Sequence, residues 1–186
     1  MGRVSQAQAE ENRRRVVDTA SRLFREQGTQ VSVADLMQAA GLTHGAFYKQ
    51  FDSKEALVDE AAAHAFAELA RRHAAGREQY EGQRSAAQRK LVDTYLSVEH
   101  RDNAADGCPV AGLATDIARG GGGDEARRVY AEGVADFADF LADADQDGLV
   151  RLCTLFGALV LSRATQGSPL SERILTAAHA ALTEAD

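Results

Sequence analysis

The chain has no Trp and only two Pro, two Cys and two Met among its 186 residues, and only 6% of it is aromatic. Each shortage removes a class of structure. With little Ile and few rings, it lacks the residues that fill strands, whereas the helix-favouring Ala, Leu, Arg and Glu are plentiful. The expected fold class is all-α. Cys108 and Cys153 lie far apart with no paired spacing, which argues against a disulfide framework or a zinc ribbon. No apolar run approaches the roughly 20 residues of a membrane-spanning helix, and nothing near Met1 resembles a signal peptide. The expectation is a cytoplasmic protein without a membrane partner.

No metal or cofactor is expected either. Residues Asp143 to Val150 copy the first eight positions of a calcium-binding EF-hand loop, including its glycine at Gly148. The twelfth position, however, is Thr154 and not the bidentate Glu that closes such a site. A helix start capped near Asp147 is the expected use of this segment.

The net charge of −7 argues against wholesale coating of nucleic acid, but the charge is unevenly spread. Residues 1–54 hold eight Lys or Arg against six acids, or +2; the remainder holds 13 against 22, or −9. A mildly basic head on an acidic body suits DNA binding at one end, because attraction to phosphates is local and screened beyond about 10 Å.

The organisation follows from caps and breakers. Residues 1–9 read as a polar arm. Val16, Ala20, Leu23 and Phe24 repeat at helical spacing within a helix over 10–27, which Gly28 ends. Ser32-Val33-Ala34-Asp35 is a capping box opening a second short helix that stops at Gly41. Thr43 is placed to cap a third, over 43–49, with Phe47 inward. Two short helices split by a glycine turn, after a longer helix, make a helix-turn-helix. Asp52 or Ser53 then caps a fourth helix over 54–75. Further helices are expected near 83–99, 109–119, 124–142, 147–165 and 169–183, separated at Gly76, Gly107-Cys108-Pro109, Gly120 to Gly123 and Gly167-Ser168-Pro169. That gives about nine helices, a head over 1–53 and a body over 54–186.

Ser32-Val33-Ala34-Asp35-Leu36, the run from Ala40 through Phe51, and Ser53-Lys54-Glu55-Ala56-Leu57 together resemble the TetR family of bacterial regulators. The resemblance covers the first third of the chain. It implies a DNA-binding head in which Thr43, Tyr48 and Lys54 contact phosphates and His44, Gly45 and Lys49 lie closest to base edges, with Ser32 and Gln50 beside them. Gln50 stands where the family often has His. A hydroxyl at a helix start, a phenol and an ammonium are ordinary phosphate partners, and Lys49 is able to donate to guanine O6 or N7. Leu36, Phe47, Phe51 and Leu57 read as core. Arg13, Arg14 and Arg15 read equally as phosphate contacts or as a solvated face.

A head this small needs a twin, with recognition helices about one DNA turn apart, near 34 Å. The helix over 147–165 is apolar on nearly every side, so Leu152, Leu155, Phe156 and Leu159, with Ile174, Ala178 and Ala181 of the last helix, are the expected homodimer contacts. The middle helices have room for an unidentified small molecule, and His64, Leu91, Tyr95, Cys108, Leu113, Ile117, Tyr130 and Phe137 are its candidate lining, joined by His100 and Phe140. Each of these reads equally well as plain core, and His64 as a hydrogen-bonded structural histidine.

Cys108 is the sharper case. Pro109 fits the first position of a helix, which puts the thiol at the N-cap, where the helix field lowers its pKa. Gly107-Cys108-Pro109-Val110-Ala111-Gly112-Leu113 is also similar to the segment through which some TetR-family members sense electrophiles. The alternative is a buried, inert thiol, and Cys153 reads as inert too. The function expected from the whole is a non-enzymatic, dimeric repressor that releases a palindromic operator when a small molecule binds or Cys108 is modified. The rival is a helical thiol-dependent enzyme or electrophile scavenger; an activator would share every residue.

Overall fold

In a computed structural model, residues 6–80, 83–143 and 147–183 are described, and among them the chain forms nine α-helices and one 3-10 turn, with no strand. The head consists of α1 (Gln6–Gln27), α2 (Val33–Ala39) and the 3-10 turn His44–Lys49. Val16, Ala20 and Phe24 recur at helical spacing on α1 and are buried against Leu36, Met37, Phe47 and Phe51. Helix α1 starts earlier than expected: residues 6–9 are helical and not an arm, while residues 1–5 lie outside the described ones.

The α2 cap forms as read. Ser32 Oγ accepts from the Asp35 N–H at 3.1 Å, though Asp35 answers by accepting the Ser32 hydroxyl at 2.6 Å instead of reaching back to a backbone N–H. Gly41 makes the turn with φ of 69°. The third helix is a tighter 3-10 turn, and Thr43, at its N-cap, makes no capping bond with its side chain.

The body begins with α3 (Lys54–Gln79), capped by Ser53 Oγ at 3.0 Å from the Ala56 N–H. It runs through Gly76, because the roughly 1 kcal/mol that a glycine costs in a helix is small against the burial of Leu57, Val58, Ala61, Ala62, Ala65, Phe66, Leu69 and His73. The single helix expected over 83–99 is two, α4 (Arg84–Tyr95) and α5 (Val98–Asp102). Ser97 starts the second by accepting from the His100 N–H, a local capping bond that competes with continuing α4. Then follow α6 (Pro109–Ala118), α7 (Asp124–Leu141), α8 (Gly148–Ala164) and α9 (Pro169–Thr183). Helix α7 packs between α3 and α8, and α8 against α9. Asp147 caps α8 by accepting from the Leu149 N–H at 2.8 Å; residues 144–146 of the calcium-like loop lie outside the described ones.

Candidate nucleic-acid interface and body cavity

Helix α2 and the 3-10 turn bury Leu36, Met37 and Phe47 and leave an outer face open. On it Ser32, Thr43, His44, Gly45, Tyr48 and Lys49 are all exposed, Tyr48 by 65%. Tyr48 is held there by ring contacts, edge-on to Phe47 below it and to His44 beside it. The Thr43 hydroxyl, released from capping, is free to meet an outside acceptor. Lys54 is half-buried at the first position of α3. Gln50 departs from its expected place: it is half-buried and its side-chain oxygen is shielded from solvent, so it sits at the rim of the face.

The arginines of α1 divide. Arg13 stacks over the Phe51 ring at 4.3 Å and bonds the Gln50 carbonyl and Glu60, which ties α1 to α3. Arg14 and Arg15 are exposed and paired within the helix to Glu11 and Asn12.

Three further ties join head to body. Buried Arg25 donates to the Gly107 carbonyl at 3.3 Å and lies 3.7 Å from Glu68. Thr29 Oγ1 donates to Asp116 at 3.0 Å. Gly112 of α6 lies so close to Arg25 that an added Cβ would sit 2.9 Å from the arginine Cβ and 3.0 Å from its Cα, so these two helices meet backbone to backbone. Asp59 of α3 reaches the other way and accepts from the Gly123 and Ala126 N–H groups at 2.8 and 3.2 Å, capping α7.

Inside the body a cavity of about 250 Å³ is walled by Leu69, Leu91, Tyr95, Cys108, Phe137 and Phe140, with His73 and His100 among its polar groups. Leu91, Tyr95, Cys108, Phe137, Phe140 and His100 are thus together, as expected. Four candidates are elsewhere. His64 faces Asp18 and Glu68 between α1 and α3, at 3.5 and 3.8 Å. Leu113 and Ile117 are buried core on α6, and Tyr130 donates to the Val110 carbonyl at 2.8 Å with its ring edge-on to Phe66. Each points from its helix into the protein interior, but towards a different part of it; periodicity gives the buried side of a helix and not what lies across from it.

His73 was missed. It continues the Phe66, Leu69 stripe of α3 and stacks on Phe140 at 4.6 Å and 15°, between this cavity and a second cleft of about 540 Å³ lined by Arg77, Arg84, Asp136 and Asp139. Burial, with Arg72 and Arg77 nearby, pulls its pKa down to about 4.

Cys108 is the N-cap of α6, as the Pro109 rule implies, but its side chain is buried, and burial pushes the thiol pKa up. The expected lowering by the helix field is overturned because desolvation outweighs it. Its N–H donates to His100 Nε2 at 3.2 Å while His100 Nδ1 meets the Tyr95 carbonyl at 2.7 Å, an arrangement that fixes His100 as the neutral Nδ1–H tautomer. Cys153, read as inert interior, is exposed on α8.

It lies on an apolar stripe. Leu149, Val150, Val160 and Leu161 of α8 and Leu170 of α9 are open, with exposures of 39 to 64%. Of the expected dimer contacts, Leu152, Leu155 and Leu159 instead face the chain's own core, because the side of α8 they share packs on α7 and α9. Phe156, Ile174 and Ala178 are half-buried and Ala181 is exposed beside the stripe.

Residues 16–61 match the family of bacterial regulatory proteins described as the tetR family. The transcriptional regulator AcrR of Shigella flexneri is 39% identical over 61 residues, 32% of this chain and 28% of that protein. The transcriptional repressor KstR2 of Rhodococcus jostii is 45% identical over 49 residues, 26% and 24% of the two. The aligned part is therefore about a quarter of the length of these relatives. Over the whole chain the fold is similar to that of E. coli NemR in its reduced form, with a TM-score of 0.73 and 17% identity across 94% of this chain and 96% of that one. The head, residues 16–61, thus matches the tetR family of bacterial regulatory proteins, and the chain as a whole has a fold similar to that of solved TetR-family regulators.

Proposed function

We propose that the protein is a homodimeric repressor that holds a palindromic operator in the bacterial cytoplasm and releases it when a small molecule occupies the body cavity. The observation that carries the reading is the pairing of two sites on one framework. An open helix-turn-helix face presents Thr43, His44, Gly45, Tyr48 and Lys49, and a cavity lies behind Cys108, the residue from which α6 starts towards the head. Helix α6 bears on the cavity at Cys108, on Arg25 at Gly112 and on Thr29 at Asp116, so a ligand that displaces α6 moves α1. The apolar stripe on α8 and α9 supports pairing with a second copy, since five open Leu and Val side chains are more than an isolated chain hides from water.

Ligand occupancy is the favoured trigger. A buried Cys108 with a raised pKa is a poor nucleophile, and both ring nitrogens of His100, its neighbouring base, are already engaged; this weighs equally against a thiol enzyme. Cys108 then serves as cavity wall. A coupling of about 1 to 3 kcal/mol between ligand and DNA corresponds to roughly 5 to 150-fold release. Titration of labelled DNA flanking the protein's own gene tests the proposal: saturable, competitor-resistant binding at physiological salt is expected, and binding no tighter than to random DNA overturns it.

A further inference from the structure

The cavity contains two buried polar atoms without a strong partner. Tyr95 Oη and His73 Nε2 are each shielded from solvent and make no well-formed hydrogen bond, Tyr95 Oη having only the weakly bonding Cys108 thiol beside it, on side chains exposed by only 6 and 8%. Buried polar groups are normally satisfied, and one left without a partner costs about 1 to 3 kcal/mol. Two such groups lining one cavity are a site waiting for a hydrogen-bonding guest.

What surrounds them narrows the guest. The walls are rings and aliphatic side chains: Phe137 lies 4.6 Å from His73 and 6.1 Å from Tyr95, Phe140 stacks flat on His73, and Leu69 and Leu91 complete the lining. The volume, about 250 Å³, is below the range of roughly 300 to 1,000 Å³ usual for drug-sized molecules, so it suits a single ring with small substituents. The deep groups carry no charge. Tyr95 and Cys108 are held protonated by burial and His73 is held neutral, so a carboxylate pushed in among them would lose its hydration without a deep cationic partner. Arg72, Lys90 and Asp106 also line the cavity, but all three are exposed.

The polar group required must suit a phenol, which donates readily, and a neutral imidazole, whose Nε2 donates or accepts according to its tautomer. A hydroxyl both donates and accepts, and so answers either atom in either state. A carbonyl or ether only accepts.

Resting on the repressor reading of this cavity, we propose that its ligand is an uncharged, single-ring hydroxyaromatic compound, a phenol, with its ring against Phe137 and Phe140 and its hydroxyl bonded to Tyr95 Oη or His73 Nε2.

The test is calorimetric titration of the full chain with three probes that share a tolyl ring: 4-methylphenol, toluene and 4-methylbenzoate. The expected result is that 4-methylphenol binds at least about tenfold more tightly than either of the others, the margin of one buried hydrogen bond. In Tyr95→Phe or His73→Phe, judged folded by an unchanged helical spectrum, that preference over toluene shrinks at least about tenfold in one variant or both. Equal or tighter binding of 4-methylbenzoate or toluene, no binding of any probe, or a preference untouched by both substitutions overturns the assignment. Operator binding is measured separately without probe. A chain that binds its operator but no phenol loses this inference alone; one that binds phenol as expected but no operator loses the repressor reading and keeps the ligand class.

Discussion

On the proposed reading Tyr48 and Lys54 hold phosphates and Lys49 reads bases, and these roles separate in their salt and sequence dependence. Tyr48→Ala and Lys54→Ala should weaken binding to operator and random DNA alike, with Lys54→Ala lowering the salt slope by about one. Lys49→Ala should cost about 1 to 3 kcal/mol on the operator and less on random DNA. Filter binding across a salt series separates them; an unchanged sequence preference in Lys49→Ala rules out base reading. His73 makes a different residue-scale prediction. Its folded pKa of about 4 lies below the ordinary 6.5, so the unfolded chain takes up the proton first. Stability is therefore complete above pH 6.5, falls as pH drops towards 4, and levels off below that, with a loss on the order of 3 kcal/mol. His100 is shifted in the same direction by burial and adds to the slope. Thermal unfolding across this window should show the fall, and His73→Phe should show a shallower one.

At the scale of elements, the contact of α6 with α1 depends on Gly112 having no side chain. Gly112→Ala drives a methyl into the Arg25 backbone, and overpacking of this kind costs about 1 to 3 kcal/mol. Chemical denaturation should give a lower midpoint at an unchanged slope; a wild-type midpoint would mean that the two helices separate freely. The elements that the sequence foretold best are those whose causes are local. Ser32 and Asp35, Gly41, Ser53 and Asp147 act within three or four residues of themselves, and the helix boundaries they set are found in place. The split of α4 from α5 was legible in principle, since Ser97 is as good a cap as Ser32, but it is embedded in a run that periodicity alone continues. The cavity was half legible. Tyr95, Cys108 and Phe137 come together while Leu113, Ile117 and Tyr130 do not, because which buried faces meet depends on the tertiary arrangement of α3, α4, α6 and α7. Cys108 is misjudged from sequence for the same reason: the helix field acts locally, whereas desolvation comes from residues distant in the chain.

For the whole molecule, the open stripe of α8 and α9 carries the proposed dimer. A charge on it cannot be buried unpaired, so Leu161→Glu should shift the proposed dimer to monomer in sedimentation equilibrium while each monomer stays folded. Operator affinity should fall with it by at least about tenfold, since two half-sites would then be met one at a time. A Leu161→Glu chain that remained dimeric would move the interface elsewhere.

The ties between head and body also bear on how such a molecule can be recombined. A cut after residue 53 parts Ser53 from the helix it caps and leaves Arg13 without Glu60, Arg25 without the Gly107 carbonyl, Thr29 without Asp116, and the α1 surface without the bare backbone at Gly112. On the proposed reading, a head transplanted onto a foreign body at that point would lack Lys54 and these ties, and would no longer respond to its new partner's effector. A responsive hybrid then has to keep α3 and residues 107–116 with the head, which makes the exchangeable unit two segments, discontinuous in the chain.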